Sequence, residues 1–266
     1  MDVTGRKVGI SLPRLWIEDL LRHAHRVPTI TFTRRMQLAE VAAARASLPN
    51  APGWVLLFVK AYAIVAARRP ELRRAYVPHP WPHLYQCDDT IASVALEREY
   101  RGEPAVFFGL MKNPENWSLD AMADLLAEWK HKPIEEIHVF RRLIAYTKLP
   151  RPMRRVLWWY AMQTSGRKRA RNFGTFGISV TASMGATALN LITPLTTTLN
   201  YGQFDEAANL DVRLHFDHRV LDGAPVARAL VELEQVLNGE IAAELRAMAS
   251  PVPRLGTVKA VDIVKA

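Results

Sequence analysis

The sequence predicts an α/β layered fold built on a mixed sheet. Three observations carry that expectation. The stretch from Leu210 to Asn238 changes period in its middle. Leu210, Val212, Leu214 and Phe216 alternate with Asp211, Arg213, His215 and Asp217, and from Ala224 the residues Val226, Ala227, Leu230, Leu233, Val236 and Leu237 share one helical stripe. Strand-like and helix-like segments elsewhere mix without the strict alternation of a parallel sheet. No internal repeat and no Gly/Ser linker divides residues 1–266, so one domain is expected.

Taken in order, Leu15 to His25 reads as a helix with Trp16, Leu20 and Ala24 on one stripe, ended by Pro28. Thr29 to Thr33 is β-branched and aromatic, which suits a strand, and Leu38 to Ala46 is alanine-rich and helical. Asn50 to Gly53 is a loop. Trp54 to Arg68 is a strongly apolar, buried helix, closed by Arg69-Pro70. Val77 to Pro82 carries three prolines and forms a stiff connector that cannot be helical. Thr90 to Leu96 and Ala105 to Met111 read as strands joined through Arg101-Gly102, and Ser118 caps a helix over Leu119 to Lys130. In the Leu210–Asn238 stretch the alternation sets His218 on the buried face, Asp222-Gly223 break the strand, and Gly239 marks a helix stop.

Composition narrows the classes. The chain is 49% hydrophobic and 23% charged, ordinary for a globular protein, and no run approaches the roughly 20 apolar residues of a membrane span. Met1 to Leu12 lacks the apolar core of a signal peptide. Cys87 is the only cysteine, so an internal disulfide and a Cys-rich metal site are excluded, no metal is expected, and a reducing cytoplasm is the simplest compartment. The net charge of +9 is uneven: Ile137 to Phe204 holds ten Lys or Arg and no acid. Such a field suits nucleic acid, anionic lipid or a phosphorylated small molecule. Nucleic acid ranks lowest, because no zinc-finger spacing or RNA-binding aromatic motif accompanies the charge.

Two segments in that span draw chemistry. In the basic, Trp-rich piece at about 141–171, Met153, Val156, Leu157, Tyr160 and Ala161 share a helical stripe flanked by arginines. It reads as a helix packed on the body or on a second subunit, the alternative being a peripheral contact with an anionic membrane. Asn172 to Pro194 is rich in glycine and small hydroxyl residues, with a β-like start at Thr175 to Val180. Its glycines permit close backbone approach, and its hydroxyls can donate to a developing negative charge. No Gly-x-Ser-x-Gly elbow, phosphate loop or dinucleotide fingerprint is present. His218-x-x-x-Asp222 admits two readings: a core histidine bonded to a carboxylate, or a general base held by packing.

Motifs in order favour the second reading. Asp217-His218-Arg219-Val220-Leu221-Asp222-Gly223 resembles the active-site motif of the dihydrolipoyl acyltransferase catalytic domain of 2-oxo acid dehydrogenase complexes. It is also similar to the His-His-x-x-x-Asp-Gly motif of chloramphenicol acetyltransferase, with Asp217 in the first position. Gly174 to Ala188 resembles the family's Gly-Thr-Phe-Thr-Ile-Ser-Asn-Leu-Gly stretch, and Arg26-Val-Pro28, Phe58 to Ala61 and Pro70 to Leu72 resemble further landmarks, the whole covering roughly residues 5 to 245.

The resemblance implies a chloramphenicol acetyltransferase-like two-layer fold, a mixed β-sheet flanked by helices, in a homotrimer with active sites between subunits. It implies His218 as general base and Ser179 as oxyanion donor. Asp222 would brace the site through an arginine near the N-terminus, for which Arg14 is the candidate, and Gly223 would be structural. The expected reaction moves an acyl group from a thioester to a small-molecule hydroxyl, amine or thiol. Acyl-CoA is the expected donor and lipoamide the second, because no lipoyl or peripheral-subunit-binding domain is read in the chain. Arg167, Lys168, Arg169, Arg171 and Thr175 are the candidates to meet coenzyme A. The departures are Val180 and Ala182 in place of the family's asparagine and glycine, and the Trp-rich segment, which stands outside the family's features. The alternative is a non-catalytic trimeric scaffold, or a core component of a 2-oxo acid dehydrogenase-type complex. The proline-broken tail from Met248 to Gly256 predicts that assembly stops at three.

Overall fold

The computed structural model describes residue 1, residues 3–181 and residues 185–249. Ala182, one of the two altered loop positions, and the tail from Ser250, on which the expected halt at three subunits largely rests, lie outside the described residues. The architecture is a six-stranded mixed sheet with helices on both faces.

The chain enters through α1 (Leu12–Ala24), β1 (Thr29–Gln37), α2 (Ala39–Ala46) and α3 (Trp54–Arg68). A small two-stranded ribbon, β2 (Arg74–Val77) with β3 (His83–Gln86), brackets the proline connector. The hairpin β4 (Ile91–Tyr100) and β5 (Glu103–Lys112) turns at Arg101-Gly102, both with positive φ. Ser118 caps α4 (Leu119–His131), its hydroxyl accepting from the Ala121 N–H at 3.2 Å. Then follow α5 (His138–Thr147), α6 (Arg151–Gln163), α7 (Gly166–Phe173), β6 (Phe176–Ile178), β7 (Thr197–Tyr201), β8 (Asn209–Asp217), α8 (Gly223–Val236), a π-turn (Leu237–Ile241) and α9 (Ala242–Ala249). The helix expected to stop at Gly239 therefore continues. Leu237, Ile241, Ala242 and Leu245 are all buried, so the chain stays on the core through the π-turn.

The sheet order is β1-β8-β7-β6-β4-β5. β6 lies parallel to β4 and β7, and the other pairs are antiparallel. One face, carrying Leu210, Val212, Leu214, Phe216, Phe176 and Ile178, packs on α3 and α8 in the main core. Leu56 to Ala63 of α3 are buried without a break, which explains why its apolar run has no polar face. Lys60 sits in that run. Its ammonium donates to the Trp117 carbonyl at 2.7 Å and to Glu244 at 2.5 Å, tying α3 to α9.

The opposite face is more polar. Thr31, His215, Thr198, Gly177 and Ser93 lie side by side in one rung across β1, β8, β7, β6 and β4. Helices α1 and α6 sit over the β5 side of this face in a second, aromatic cluster of Leu20, Ala24, Trp158 and Met162 with Trp16, Phe108 and Phe173. The expected stripe of α6 is mis-phased. Met153, Val156 and Tyr160 are exposed, whereas Arg154, Trp158, Ala161 and Met162 are buried. Arg154 pairs with Asp19 of α1 at 2.8 Å, both side chains nearly sealed from solvent. α6 is thus packed on the body by the rings around Trp158 and by the ion pairs of Arg154 with Asp19 and Arg151 with Glu18.

Candidate functional site

β8 delivers His218 on the face the alternation set, but at the rim and not in the core. The Asp217 N–H donates to the Thr196 carbonyl at 2.9 Å, and the His218 N–H makes one more bond to β1's side, to the Pro28 carbonyl at 3.0 Å. The chain then turns, with the Val220 and Leu221 N–H groups both bonded to the Asp217 carbonyl at 3.0 and 3.1 Å. The Asp217 carboxylate is buried and accepts from the Arg219 N–H at 3.0 Å and from its guanidinium at 2.9 and 2.7 Å. This locked turn ends the strand at His218, whose imidazole follows Phe216 on the same face, edge-on at 6.1 Å, but lies past the end of the core and is 47% exposed. Its Nδ1 lies 3.0 Å from the Leu221 carbonyl. A carbonyl can only accept, so Nδ1 carries the hydrogen and the neutral ring keeps a lone pair on Nε2. Asp222 lies 3.8 Å from Nδ1 and is 87% exposed. Gly223 begins α8 where a Cβ would stand 2.6 Å from the Phe32 ring, so this position needs a glycine.

Ser179 follows β6. Gly174, at φ +90°, brings the chain so close to β4 that a Cβ would lie 2.8 Å from the Ile91 carbonyl. The Ser179 N–H donates to the Leu199 carbonyl at 3.1 Å, and the Asn200 amide donates to the Ser179 carbonyl at 2.8 Å. The hydroxyl has no hydrogen-bond partner among the described residues and lines a cavity of about 190 Å³. The other histidine of β8, His215, is fully buried, with Nδ1 2.7 Å from the Thr31 hydroxyl. Burial, aided by Arg213, pushes the His215 pKa down to about 4. Sealed in the sheet interior, this ring is out of a substrate's reach and is not a candidate base, and only its place in the strand separates it from His218 in the sequence.

The register separates the two functional candidates. Ser179 stands level with Asn200 and Arg213, because Ile178 pairs with Leu199 and Asn200 with Arg213. His218 lies five residues further along the line of β8, two strands away, so the two are roughly 20 Å apart within one subunit at about 3.4 Å per residue and 4.8 Å per strand. Ser179 is level with the middle of β8, and His218 stands past its end.

The other predicted residues divide. Thr175 is buried, its hydroxyl accepting from the Ile91 N–H at 2.9 Å and donating to the Ile91 carbonyl at 3.3 Å, so it braces β6 and is closed to a ligand. Arg169 is also buried and donates to the Tyr76 and Pro194 carbonyls, and burial lowers its pKa to about 10. It is a structural cation and not a cofactor contact. Lys168 lies 3.6 Å over the Tyr160 ring and bonds its hydroxyl. Arg167 and Arg171 alone of the set are exposed. Arg14 is exposed on α1 and makes no ion pair with Asp222 among the described residues, so the expected brace is not formed within the subunit. Sequence reasoning missed Asp19–Arg154, His23 and Asn200. His23 is buried and neutral, its pKa lowered to about 4 by burial and by Arg26, Arg22 and Arg169.

No family model matches the chain. No curated protein matches it in sequence. Solved structures do match. The probable dihydrolipoamide acetyltransferase of Listeria monocytogenes 4b F2365 aligns at TM-score 0.64 and 16% identity, over 89% of this chain and 95% of that one. The dihydrolipoamide acetyltransferase of Azotobacter vinelandii aligns at 0.65 and 20%, over 91% and 94%. The truncated catalytic core of the 2-oxoacid dehydrogenase multienzyme complex from Thermoplasma acidophilum aligns at 0.59 and 14%, over 90% and 99%. The agreement spans nearly the whole of each chain, and its sequence identity is low. The chain has the fold of the dihydrolipoamide acetyltransferase catalytic core.

Proposed function

We propose that this chain is an acyltransferase that moves an acyl group from a thioester of the acyl-CoA kind to a hydroxyl, amine or thiol, at sites shared between copies of a homotrimer. The observation that carries the reading is the state of His218. Its Nδ1–H is committed to the Leu221 carbonyl, so Nε2 is held basic on an exposed ring. Nε2 takes the proton of the acceptor as that group attacks the thioester carbonyl. The C–S bond then breaks, and His218 returns the proton to the leaving thiolate. The Ser179 hydroxyl, free of partners among the described residues, donates to the oxyanion that forms between these steps. No covalent acyl-enzyme is involved.

Shared sites follow from distance. Groups roughly 20 Å apart in one subunit cannot serve one carbonyl, whereas His218 of one copy can face Ser179 of the next in a closed ring. The fold of the dihydrolipoamide acetyltransferase core supports this reading. Exposed Arg167 and Arg171 supply positive charge for a phosphorylated donor. His218→Ala should lower acyl-CoA turnover by about 10²–10⁴-fold while the far-ultraviolet circular dichroism stays unchanged. Turnover that survives the substitution removes His218 from the reaction.

A further inference from the structure

The cavity beside Ser179 lies over the polar face of the sheet and is roofed by α5, α6 and α7, which include the segment that stands outside the family's features. Its wall is an aromatic stack: Trp158 lies 4.6 Å from Trp16 and 4.7 Å from Phe173, centroid to centroid. Phe108 of β5 and Leu143 of α5 also line it. Among the described residues no acid lines the space, Arg142 is its one charged group, and carbon from Trp16, Leu20, Phe108, Leu143, Trp158 and Phe173 makes up most of its wall. Thr198 donates to Thr193 at 2.9 Å, and Arg142 donates to Asn172 at 3.1 Å. A cationic head would lose its hydration there and meet only the Arg142 charge, while carbon would gain contact with the apolar wall.

Size and connectivity then name the occupant. A dry cavity of about 150 Å³ holds benzene. The volume here, about 190 Å³, leaves room for a ring and a methylene or two, or for a chain of about six to eight carbons. In acyl transfer the oxyanion and the first carbon of the acyl chain are bonded to the same carbonyl carbon. If Ser179 holds that oxygen, the space adjoining Ser179 receives the chain. We infer that this cavity is an acyl-chain site, selecting neutral aryl or alkyl acyl groups of about six to eight carbons beyond the carbonyl. The inference rests on the reading of Ser179 as oxyanion donor.

The test is binding of acetyl-, hexanoyl-, octanoyl- and hexadecanoyl-CoA to the full chain, read by calorimetry and by tryptophan fluorescence, since Trp16 and Trp158 form the wall. A hydrophobic pocket discriminates one methylene by about 10–200-fold. Octanoyl-CoA should therefore bind at least about tenfold tighter than acetyl-CoA, with no further gain for hexadecanoyl-CoA. Ala95→Leu from the sheet and Ala161→Leu from α6 fill the cavity from opposite sides. Each should move the preference to shorter chains, and Leu157→Ala should move it to longer ones. Equal affinity for acetyl- and octanoyl-CoA overturns the inference, as does an unchanged preference in both filled variants when circular dichroism shows them folded. Octan-1-ol that binds without weakening octanoyl-CoA would place an acceptor in the cavity and also overturn it. A chain-length preference in a chain whose turnover survives His218→Ala spares the cavity and sinks the catalytic reading. No preference, with turnover lost in His218→Ala, does the reverse.

Discussion

The distance between Ser179 and His218 makes a quantitative demand on mixed oligomers. A reacting carbonyl needs both groups within hydrogen-bond reach, and the register sets them roughly 20 Å apart in one copy. Ser179→Ala alone should lower turnover about 10²–10³-fold, and His218→Ala about 10²–10⁴-fold. Now let the two variants assemble at random in equal amounts. A site built from the serine of one copy and the histidine of the next is intact about one time in four. Turnover should rise to about a quarter of wild type, at least about 25 times that of either parent. The two variants, co-expressed in equal amounts and purified as one unselected pool, provide the sample, and release of free thiol from an acyl-CoA provides the assay. A second mixture sharpens the result. Wild type mixed with the double variant gives about a quarter of full activity where copies share sites, and about half where each copy is self-sufficient. Single-variant mixtures that stay at the mean of their parents would refute the shared site and with it the proposed geometry.

Three further outcomes follow. Arg154→Met should cost about 3–5 kcal/mol in urea unfolding because it strands the buried Asp19 carboxylate, and the pair Asp19→Leu with Arg154→Met should recover most of that. His23 and His215 stay neutral in the fold down to about pH 4, whereas in the unfolded chain they protonate near 6.5. As pH falls through that window the unfolded state binds more protons, so stability drops by up to about 3 kcal/mol per histidine, and His215→Gln should flatten the slope of denaturation midpoint against pH. Changing Arg167 and Arg171 together to Glu should weaken CoA binding several-fold and reduce its salt dependence in calorimetry, because both side chains are exposed.

Where local signals were strong, the sequence was legible to the residue. The helix read over Trp54 to Arg68 has those bounds, because Gly53 precedes it, Pro70 follows it and its apolar run is unbroken. Ser118 caps α4 as expected, and the β4–β5 hairpin turns at Arg101-Gly102. What escaped depends on partners distant in sequence. The phase of α6 is set by Arg154, whose partner Asp19 lies 135 residues away, so an arginine took a core position while Met153 and Val156 were left outside. β7 went unread because Thr197, Thr198 and Asn200 are buried among strands with no alternation to announce them. The cavity escaped for the same reason: its walls come from α1, β4, β5, α5, α6 and α7, and no window of sequence holds more than a few of them.

The error over His218 is instructive about the site. Continuing the alternation one step past Asp217 would have made His218 a core residue, and the bland reading of a packed histidine would have stood. The structure assigns that part to His215, buried, bonded to Thr31 and held neutral to about pH 4. His218 differs by three residues and by one turn. The Asp217 carboxylate accepts from Arg219 and its carbonyl from Val220 and Leu221, and the turn so formed leaves the His218 ring at the rim, edge-on to Phe216 and open to solvent. An exposed ring with only Nδ1 committed has no structural task inside its own subunit. Ser179 presents the complementary gap, a hydroxyl with no partner among the described residues beside a cavity, level with the middle of the same strand. Each of these groups is unfinished alone, in a register that forbids them to meet within one copy, and that pairing of vacancies is the physical argument for a site completed by a neighbour.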